Sequence, residues 1–336
     1  MKKKKIALLI AFRVTEYNLN NAVKDLTDCL KSIIYSYSTY SDILENEHNF
    51  SIYILDDYST VEYQKLIPIS LKSKVCFISN ENEQGHGNTL NFGLNKIDAD
   101  YYLFTDSDCI VKINWVFLAL NSFKDNKRTC IVGPNWYHQT PINKWLDFIT
   151  SSESKLMKFI FESYIDYNNN TCVRIDCRNL IIKKDFLELF PNKIFFSDAI
   201  YSNSGQTSYN WRQGEIKMSN IVGYNSNLMV YHKHPDSFFQ QIVRYYKRGR
   251  FGDFDFIYSN IYNSLRSAFF KHYFKRHFIS PILSSNVSFI YLWTVHSAYW
   301  FGILIRHFER KLKPSHNNKK LTPTCCNTPC GRASSV

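Results

Sequence analysis

The sequence predicts an α/β fold, a mostly parallel, twisted sheet flanked by helices, with a helical extension at its C-terminal end. Three observations carry this. Strand-length apolar runs alternate with helix-length amphipathic segments through the first half of the chain. Two of those runs stop abruptly in carboxylates, Asp56-Asp57 and Asp106-Ser107-Asp108. A glycine-bearing turn, Gln84 to Asn88, lies between them and leads into a helical pattern.

Taken in order, Ile6 to Phe12 is a continuous apolar run and reads as the first strand. From Asn20 to Tyr37, Ala22, Val23, Leu26, Leu30, Ile33 and Ile34 recur at helical spacing and predict an amphipathic helix. Ile52 to Leu55 and Lys74 to Ser79 are the second and third strands, and Thr89 to Asn95 a second helix. Tyr101 to Phe104 is the fourth strand, ending at Asp106. Cys130 to Val132, Leu180 to Ile182 and Ser226 to Tyr231 are further strand candidates. Beyond Pro235 the pattern changes. Asp236 to Tyr246 predicts a helix. Pro281 to Ile305 carries no formal charge between the basic flanks Lys275-Arg276-His277 and Arg306-His307. That stretch is long enough to span a bilayer. Its Ser, Asn, Thr and His content favours a helix packed on the domain or lying at a membrane surface, a seat that its Trp and Tyr residues also suit. The expected organisation is a domain over 1–234, with halves of about 1–112 and 113–234, a basic, aromatic helical extension over 235–310, and a flexible Cys-containing tail over 311–336.

The 336 residues are 45% hydrophobic and 21% charged, enough for a sizeable core and too apolar for a disordered bulk. A net charge of +12 attracts phosphates of several kinds, including sugar nucleotides and anionic lipid headgroups. The aromatic residues lie in apolar runs and no nucleic-acid-binding motif is present, so no nucleic-acid partner is expected. Nine cysteines are an odd number for a disulfide scaffold. Cys29, Cys76, Cys109 and Cys130 read as reduced core residues of a cytoplasmic protein. The N-terminal MKKKKIALLIAFR is too short in its apolar run, and too soon interrupted by Arg13 and Glu16, for a signal peptide.

In a parallel sheet the ends of strands one, two and four share one edge, where open α/β folds bind ligands. That edge would gather Ala11, Arg13 and Glu16, then Asp56 and Asp57, then Asp106 and Asp108. A carboxylate pair one residue apart suits either a solvated turn or a hard divalent cation bridging to phosphate oxygens.

Ile54-Leu55-Asp56-Asp57-Tyr58-Ser59, the loop and helix Asn82 to Gly93, and Phe104-Thr105-Asp106-Ser107-Asp108 together resemble the family 2 glycosyltransferases of GT-A fold. His232-Lys233-His234-Pro235, followed by Arg244 to Gly249, is similar to segments of bacterial rhamnosyltransferase-like members. The resemblance covers about residues 5 to 252. It implies a Rossmann-like nucleotide-binding half and transfer of a sugar from a nucleoside-diphosphate sugar, by default a UDP-sugar, to a glycan, lipid-linked or peptide acceptor. It implies that Asp56 and Asp57 recognise base and ribose, and that Gly85 to Asn91, with Gly85, Asn88 and Asn91 foremost, line the nucleotide pocket. It further implies that Asp106 meets ribose or metal and Asp108 ligates Mn²⁺ or Mg²⁺. His232 and His234 are then further metal ligands or structural strand residues, and Arg244, Lys247 and Arg248 cations for the leaving group or a solvated helix face.

The chain departs from the family pattern on the acceptor side. Inverting members carry a Glu-Asp base about six residues before an Arg, and counting back from Arg212 puts Gln206 in that place. An amide orients a hydroxyl but cannot accept its proton. The base then comes from elsewhere, with Asp198 and Glu215 nearest, or the acceptor is a thiol, or transfer is weak and the chain is a binding or scaffold protein. Leu90 also stands where the family often has Arg. A nucleotidyltransferase is disfavoured because Ala11 to Thr15 contains no glycine. The expected location is cytoplasmic or the inner face of the membrane, with peripheral contact through 235–310.

Overall fold

The computed structural model describes residues 3–82, 84–123, 128–137, 165–166, 168–172, 177–188, 196–197, 206–207, 222–233, 238–251 and 288–312, with isolated positions at 152, 155, 158, 279 and 282. The architecture is an α/β fold of GT-A type built on a nine-stranded sheet. At its centre β1 (Lys4–Phe12) pairs in parallel with β2 (His48–Asp56) on one side and β4 (Tyr101–Phe104) on the other. β3 (Val75–Ser79) extends the parallel set beyond β2.

The continuous apolar run of β1 is what a strand covered on both faces requires. Its alternate residues divide between two cores. Ile6, Leu8, Ile10 and Phe12 face one cluster, and Ala7, Leu9 and Ala11 the other. The first face is covered by α1 (Leu19–Ser38), α2 (Ser41–Glu47) and α5 (Trp115–Asn121), which bury Leu26, Leu30, Ile33, Leu44 and Trp115 there. The second is covered by α4 (His86–Lys96) through Leu90 and Leu94, and by α6 (Lys184–Leu187) through Phe186 and Leu187. A short α3 (Ile69–Lys72) precedes β3.

Beyond β4 the sheet becomes mixed. β10 (Leu180–Lys183) runs antiparallel to β4 and to β6 (Cys130–Val132). β13 (Val222–Tyr224) is parallel to β6, and the short pair β9 (Thr171–Cys172) and β8 (Ile165–Asp166) completes the edge. Because β10 is reversed, its first residues lie at the carboxyl end of β4, with Leu180 opposite Phe104.

A three-stranded sheet joins β5 (Cys109–Val111), β14 (Val230–His232) and β7 (Asn135–Tyr137). The strand expected over Ser226 to Tyr231 begins only at Val230, as β14, and the preceding β13 belongs to the other sheet. A turn over 225–229, closed by the amide of Asn227 on the Asn225 carboxamide, breaks the run. The helix expected from Thr89 begins three residues earlier, at His86. The pairing β11 (Phe196–Ser197) with β12 (Gln206–Thr207) is a separate ribbon.

α1 holds the segment after β4 through small side chains. The Cys29 thiol donates to the Asp106 carbonyl (3.5 Å), while the Ser32 and Ser36 hydroxyls accept from the amides of Val111 (3.1 Å) and Val116 (3.0 Å). Of the four cysteines expected in the core, Cys29, Cys109 and Cys130 are buried. Cys76 is exposed, because β3 is the edge strand of the parallel set.

In the C-terminal part, α7 (Phe238–Phe251) packs on α8 (Phe289–Leu312). Two glycines allow the close approach. A Cβ at Gly249 would stand 1.9 Å from the Tyr299 carbonyl oxygen, and one at Gly302 would stand 2.2 Å from that of Tyr246. No described helix is long and apolar enough to cross a membrane. α8 continues through Leu312, so the first residues assigned to a flexible tail are helical; 313–336 lie outside the described residues.

Candidate active site

The carboxyl ends of β1, β2 and β4 do converge on one edge, and the turns beyond them are tied together by side chains. After β2, Asp56 Oδ1 accepts the amide of Ser59 at 2.8 Å, closing a turn in which Tyr58 adopts φ 60°. A left-handed conformation at a non-glycine residue costs about 1 kcal/mol or more. The Tyr58 hydroxyl donates to the Asn82 carbonyl, bracing the turn against the glycine loop. Tyr63 packs beneath, its phenol pushed well above the ordinary range by burial first and by the Asp56 charge second.

Asp57 is buried and structural in its contacts. Its Oδ1 accepts from the Gly85 amide and from the Thr89 hydroxyl, both at 2.8 Å. Thr89 in turn accepts from the Asn80 amide at 2.8 Å. This places Gly85, at φ 137°, as the residue before α4, a conformation that only glycine adopts readily. Arg13 is exposed and faces Gln84: with the Gln84 amide turned, its oxygen accepts from Arg13 Nη2 at 2.7 Å. Ala11 is buried at the end of β1 and Glu16 is exposed. Asn88 donates to the Gln84 carbonyl at 3.3 Å. Asn91 points elsewhere: its amide accepts from the Phe196 N–H (2.9 Å) and donates to the Phe196 carbonyl (2.5 Å), so it anchors β11.

The two carboxylates of the Asp-x-Asp turn face different partners. Asp106 Oδ1 lies 3.7 Å from His86 Nε2 and 3.9 Å from Cys177 Sγ. Asp108 Oδ2 lies 3.3 Å from His232 Nε2. β14 delivers His232 because it pairs antiparallel with β5, putting His232 opposite Cys109. The Lys233 amide then bonds the Asp108 carbonyl at 3.0 Å, and its ammonium bridges both Asp25 oxygens at 3.0 Å. Cys29 and Cys109 stay protonated, their thiols pushed up by burial and then by Asp108 and Asp106.

Asp108 and His232 fit a divalent cation. Two ligands at right angles, each about 2.1 Å from an ion, stand about 3 Å apart, close to the 3.3 Å seen. A carboxylate and an imidazole both point to the same space, while the nearby Cys109 thiol is held uncharged.

The sequence model described as Glycosyl transferase family 2 matches residues 18–190, half of the chain. This chain is a member of glycosyl transferase family 2. The solved structures similar to the family-2 chain include the mannosyltransferase PcManGT from Pyrobaculum calidifontis in complex with GDP-Man and Mn²⁺, at 10% identity and TM-score 0.48, covering 93% of this chain and 81% of that one. Residues 1–349 of S. aureus TarS match at 12% identity and TM-score 0.45, covering 91% of each chain. The M. tuberculosis glucosyl-3-phosphoglycerate synthase matches at 13% identity and TM-score 0.41, covering 70% and 73%. At these scores the likeness bears on neither substrate nor mechanism. No curated protein sequence matches the chain.

Of the remaining sequence-predicted residues, Arg244 is half-buried on α7, and Arg248 belongs to the same helix. Gln206 is described only as a member of β12, its backbone paired with Ser197. Asp198, Arg212, Glu215 and His234 lie outside the described residues. One site residue, Cys177, had no role assigned in the sequence, and another, His86, was assigned only within the pocket-lining segment Gly85 to Asn91. Cys177 is brought to Asp106 by the reversal of β10.

Proposed function

We propose that this glycosyltransferase moves a hexosyl or deoxyhexosyl group from a nucleoside-diphosphate sugar to an acceptor hydroxyl, with inversion, using a divalent cation held by Asp108 and His232. The 3.3 Å approach of those two side chains, brought together just beyond β4 by the pairing of β5 with β14, carries the reading. The nitrogen donor favours Mn²⁺, since Mg²⁺ prefers an all-oxygen shell. When bound, such a cation offsets the charge that develops on the departing nucleoside diphosphate. In this reading Asp106 accepts from ribose, and Arg13, beside the glycine loop, meets base or phosphate. Asp57 fixes the loop without touching the donor. Arg244 and Arg248 are proposed to add positive charge on the leaving group side.

On the acceptor side, β11 is bound to α4 through Asn91, and Gln206 pairs with Ser197 of β11. Asp198 directly follows Ser197 and is our choice for the base. The acceptor oxygen attacks the anomeric carbon, its proton passes to the Asp198 carboxylate, and the bond from the anomeric carbon to the diphosphate oxygen breaks. Gln206 orients the hydroxyl. Residues 1–234 would form the transferase domain, and the acceptor would be a cell-surface glycan.

α8 supports a place at the cytoplasmic face of a membrane. Its exposed side carries Phe289, Ile290, Trp293, Phe301, Leu304 and Phe308, and the chain beyond it is basic. An aromatic, apolar helix face beside basic residues suits the headgroup region of an anionic bilayer.

The deciding experiment measures hydrolysis of a panel of UDP-, dTDP- and GDP-sugars with and without Mn²⁺. Metal-dependent turnover of one donor, lost in Asp108→Asn, is expected. Tight nucleotide binding with no turnover on any donor or acceptor would make the protein a nucleotide-sugar binder instead.

A further inference from the structure

We propose that His86, Asp106 and Cys177 form a second metal site, suited to a thiophilic divalent cation of the zinc class, on the opposite carboxylate of the Asp-x-Asp turn from His232. One nitrogen, one oxygen and one sulfur lie within 4.8 Å of one another. Asp106 Oδ1 is the common neighbour, 3.7 Å from His86 Nε2 and 3.9 Å from Cys177 Sγ. A tetrahedral zinc, with bonds of about 2.0 Å to N and O and about 2.3 Å to S, holds its ligands about 3.3 to 3.5 Å apart. The two Asp106 distances need to shorten by about 0.4 Å, and His86 and Cys177, within 4.8 Å of each other, need to close to about 3.5 Å, which side-chain rotation supplies.

The three donors are presented by independently anchored elements. His86 opens α4, whose start is fixed by Asp57 on Gly85 and Thr89. Asp106 lies two residues beyond β4, and its carbonyl is held by Cys29. Cys177 precedes β10, two residues before Asn179, which is buried and bonded to Trp115, Pro134 and Leu228. His86 and Asp106 side chains are about one-fifth exposed, at 21% and 22%, so an ion can reach them from solvent. On binding, the Cys177 thiol releases its proton to solvent, and thiolate and carboxylate together neutralise the dication. Three protein ligands leave a fourth position for water or a phosphate oxygen. Sulfur sorts the two sites: Mn²⁺ and Mg²⁺ prefer oxygen donors, whereas zinc-class ions take thiolate and imidazole.

The test titrates the metal-free full chain with Co²⁺ alone, which reports thiolate ligation as a near-ultraviolet charge-transfer band. One equivalent should saturate the band. Cys177→Ser should abolish it, and replacing Cys325, Cys326 and Cys330 together by Ser should leave it. A band that survives Cys177→Ser, or binding without any band, overturns the site. Should Cys177→Ser fail to fold, His86→Ala decides: Co²⁺ affinity must fall about tenfold or more, and an unchanged affinity overturns the proposal. These readouts need no sugar nucleotide, so they stand or fall apart from the transferase reading. If both hold, Zn²⁺ should inhibit donor hydrolysis competitively with nucleotide, because it claims Asp106, and Cys177→Ser should raise the inhibitory concentration about tenfold or more.

Discussion

Asp108 and His232, 3.3 Å apart, are the proposed ligands of the divalent cation. Removing charge without changing shape isolates the carboxylate's contribution. Asp108→Asn should lower Mn²⁺-dependent donor hydrolysis by about 100-fold or more, the usual effect of losing one electrostatic contact to a developing charge, with an unchanged melting temperature in metal-free buffer. Asn179 is the structural counterpart. It is fully buried, accepts from Trp115 Nε1 at 3.0 Å, and donates to the carbonyls of Pro134 (2.8 Å) and Leu228 (2.6 Å). Asn179→Ala strands the Trp115 N–H and the Leu228 carbonyl, while the Pro134 carbonyl keeps the Val230 amide, and should cost about 2 kcal/mol or more in urea denaturation. The carboxylates of this site were legible in the sequence because a charge ending an apolar run is conspicuous. Cys177 and Asn179 were not, because nothing near position 177 in the chain marks it as a neighbour of position 106. Asp57 was legible as a site residue, but its burial against Gly85 and Thr89 gives it a bracing role that spacing could not express.

Elements carry a different set of consequences. β1, β2, β3 and α1 were legible to within a few residues, since buried parallel strands and a one-sided helix leave strong periodic patterns. β13 was missed and β14 was started four residues early, because three-residue strands leave no period to count. The ribbon β11–β12 depends on Asn91, so Asn91→Ala should impair transfer to an acceptor several-fold more than hydrolysis of the donor. Equal loss of both would show that Asn91 serves the donor pocket instead. In the α7–α8 pair, Gly302→Ala drives a Cβ to 2.2 Å from a backbone oxygen that cannot rotate away. Overpacking of this kind costs about 1–3 kcal/mol, to be read as a lowered thermal transition. Gly93→Ala makes a useful control, because the Cβ there meets the tip of the Leu55 side chain, which can turn aside.

At the scale of the whole molecule, the sheet is clamped at the edge opposite the site by Asp98, which bonds Lys184 at 2.6 Å and Lys5 at 3.0 Å. The Lys184 hydrogen bond, then that of Lys5, holds the Asp98 carboxyl down to about 2. A depressed carboxylate stabilises the fold above its unfolded value of 3.8 and loses that contribution as the pH falls toward about 2. The pair is exposed, so the effect is small and salt-screened. Asp98→Asn should flatten the acid limb of melting temperature against pH at low ionic strength, and the difference from wild type should vanish in about 1 M salt. A membrane seat for the whole particle makes a separate prediction: the full chain should co-sediment with vesicles containing phosphatidylglycerol, and Trp293→Ser with Phe301→Ser should weaken this about tenfold or more. A concentration-dependent dimer that the same pair of changes dissolves would assign that face to a second copy.

The small residues of α1 set how the protein comes apart. Cys29, Ser32 and Ser36 tie three successive points between positions 106 and 116 to one helix. The amide protons of Val111 and Val116 therefore exchange with solvent only in excursions that lift α1, and both should report the same opening free energy. The carboxylate turn shares that excursion. Heating or mild denaturant should silence the enzyme at the threshold where α1 detaches, while the amides of β1 remain protected.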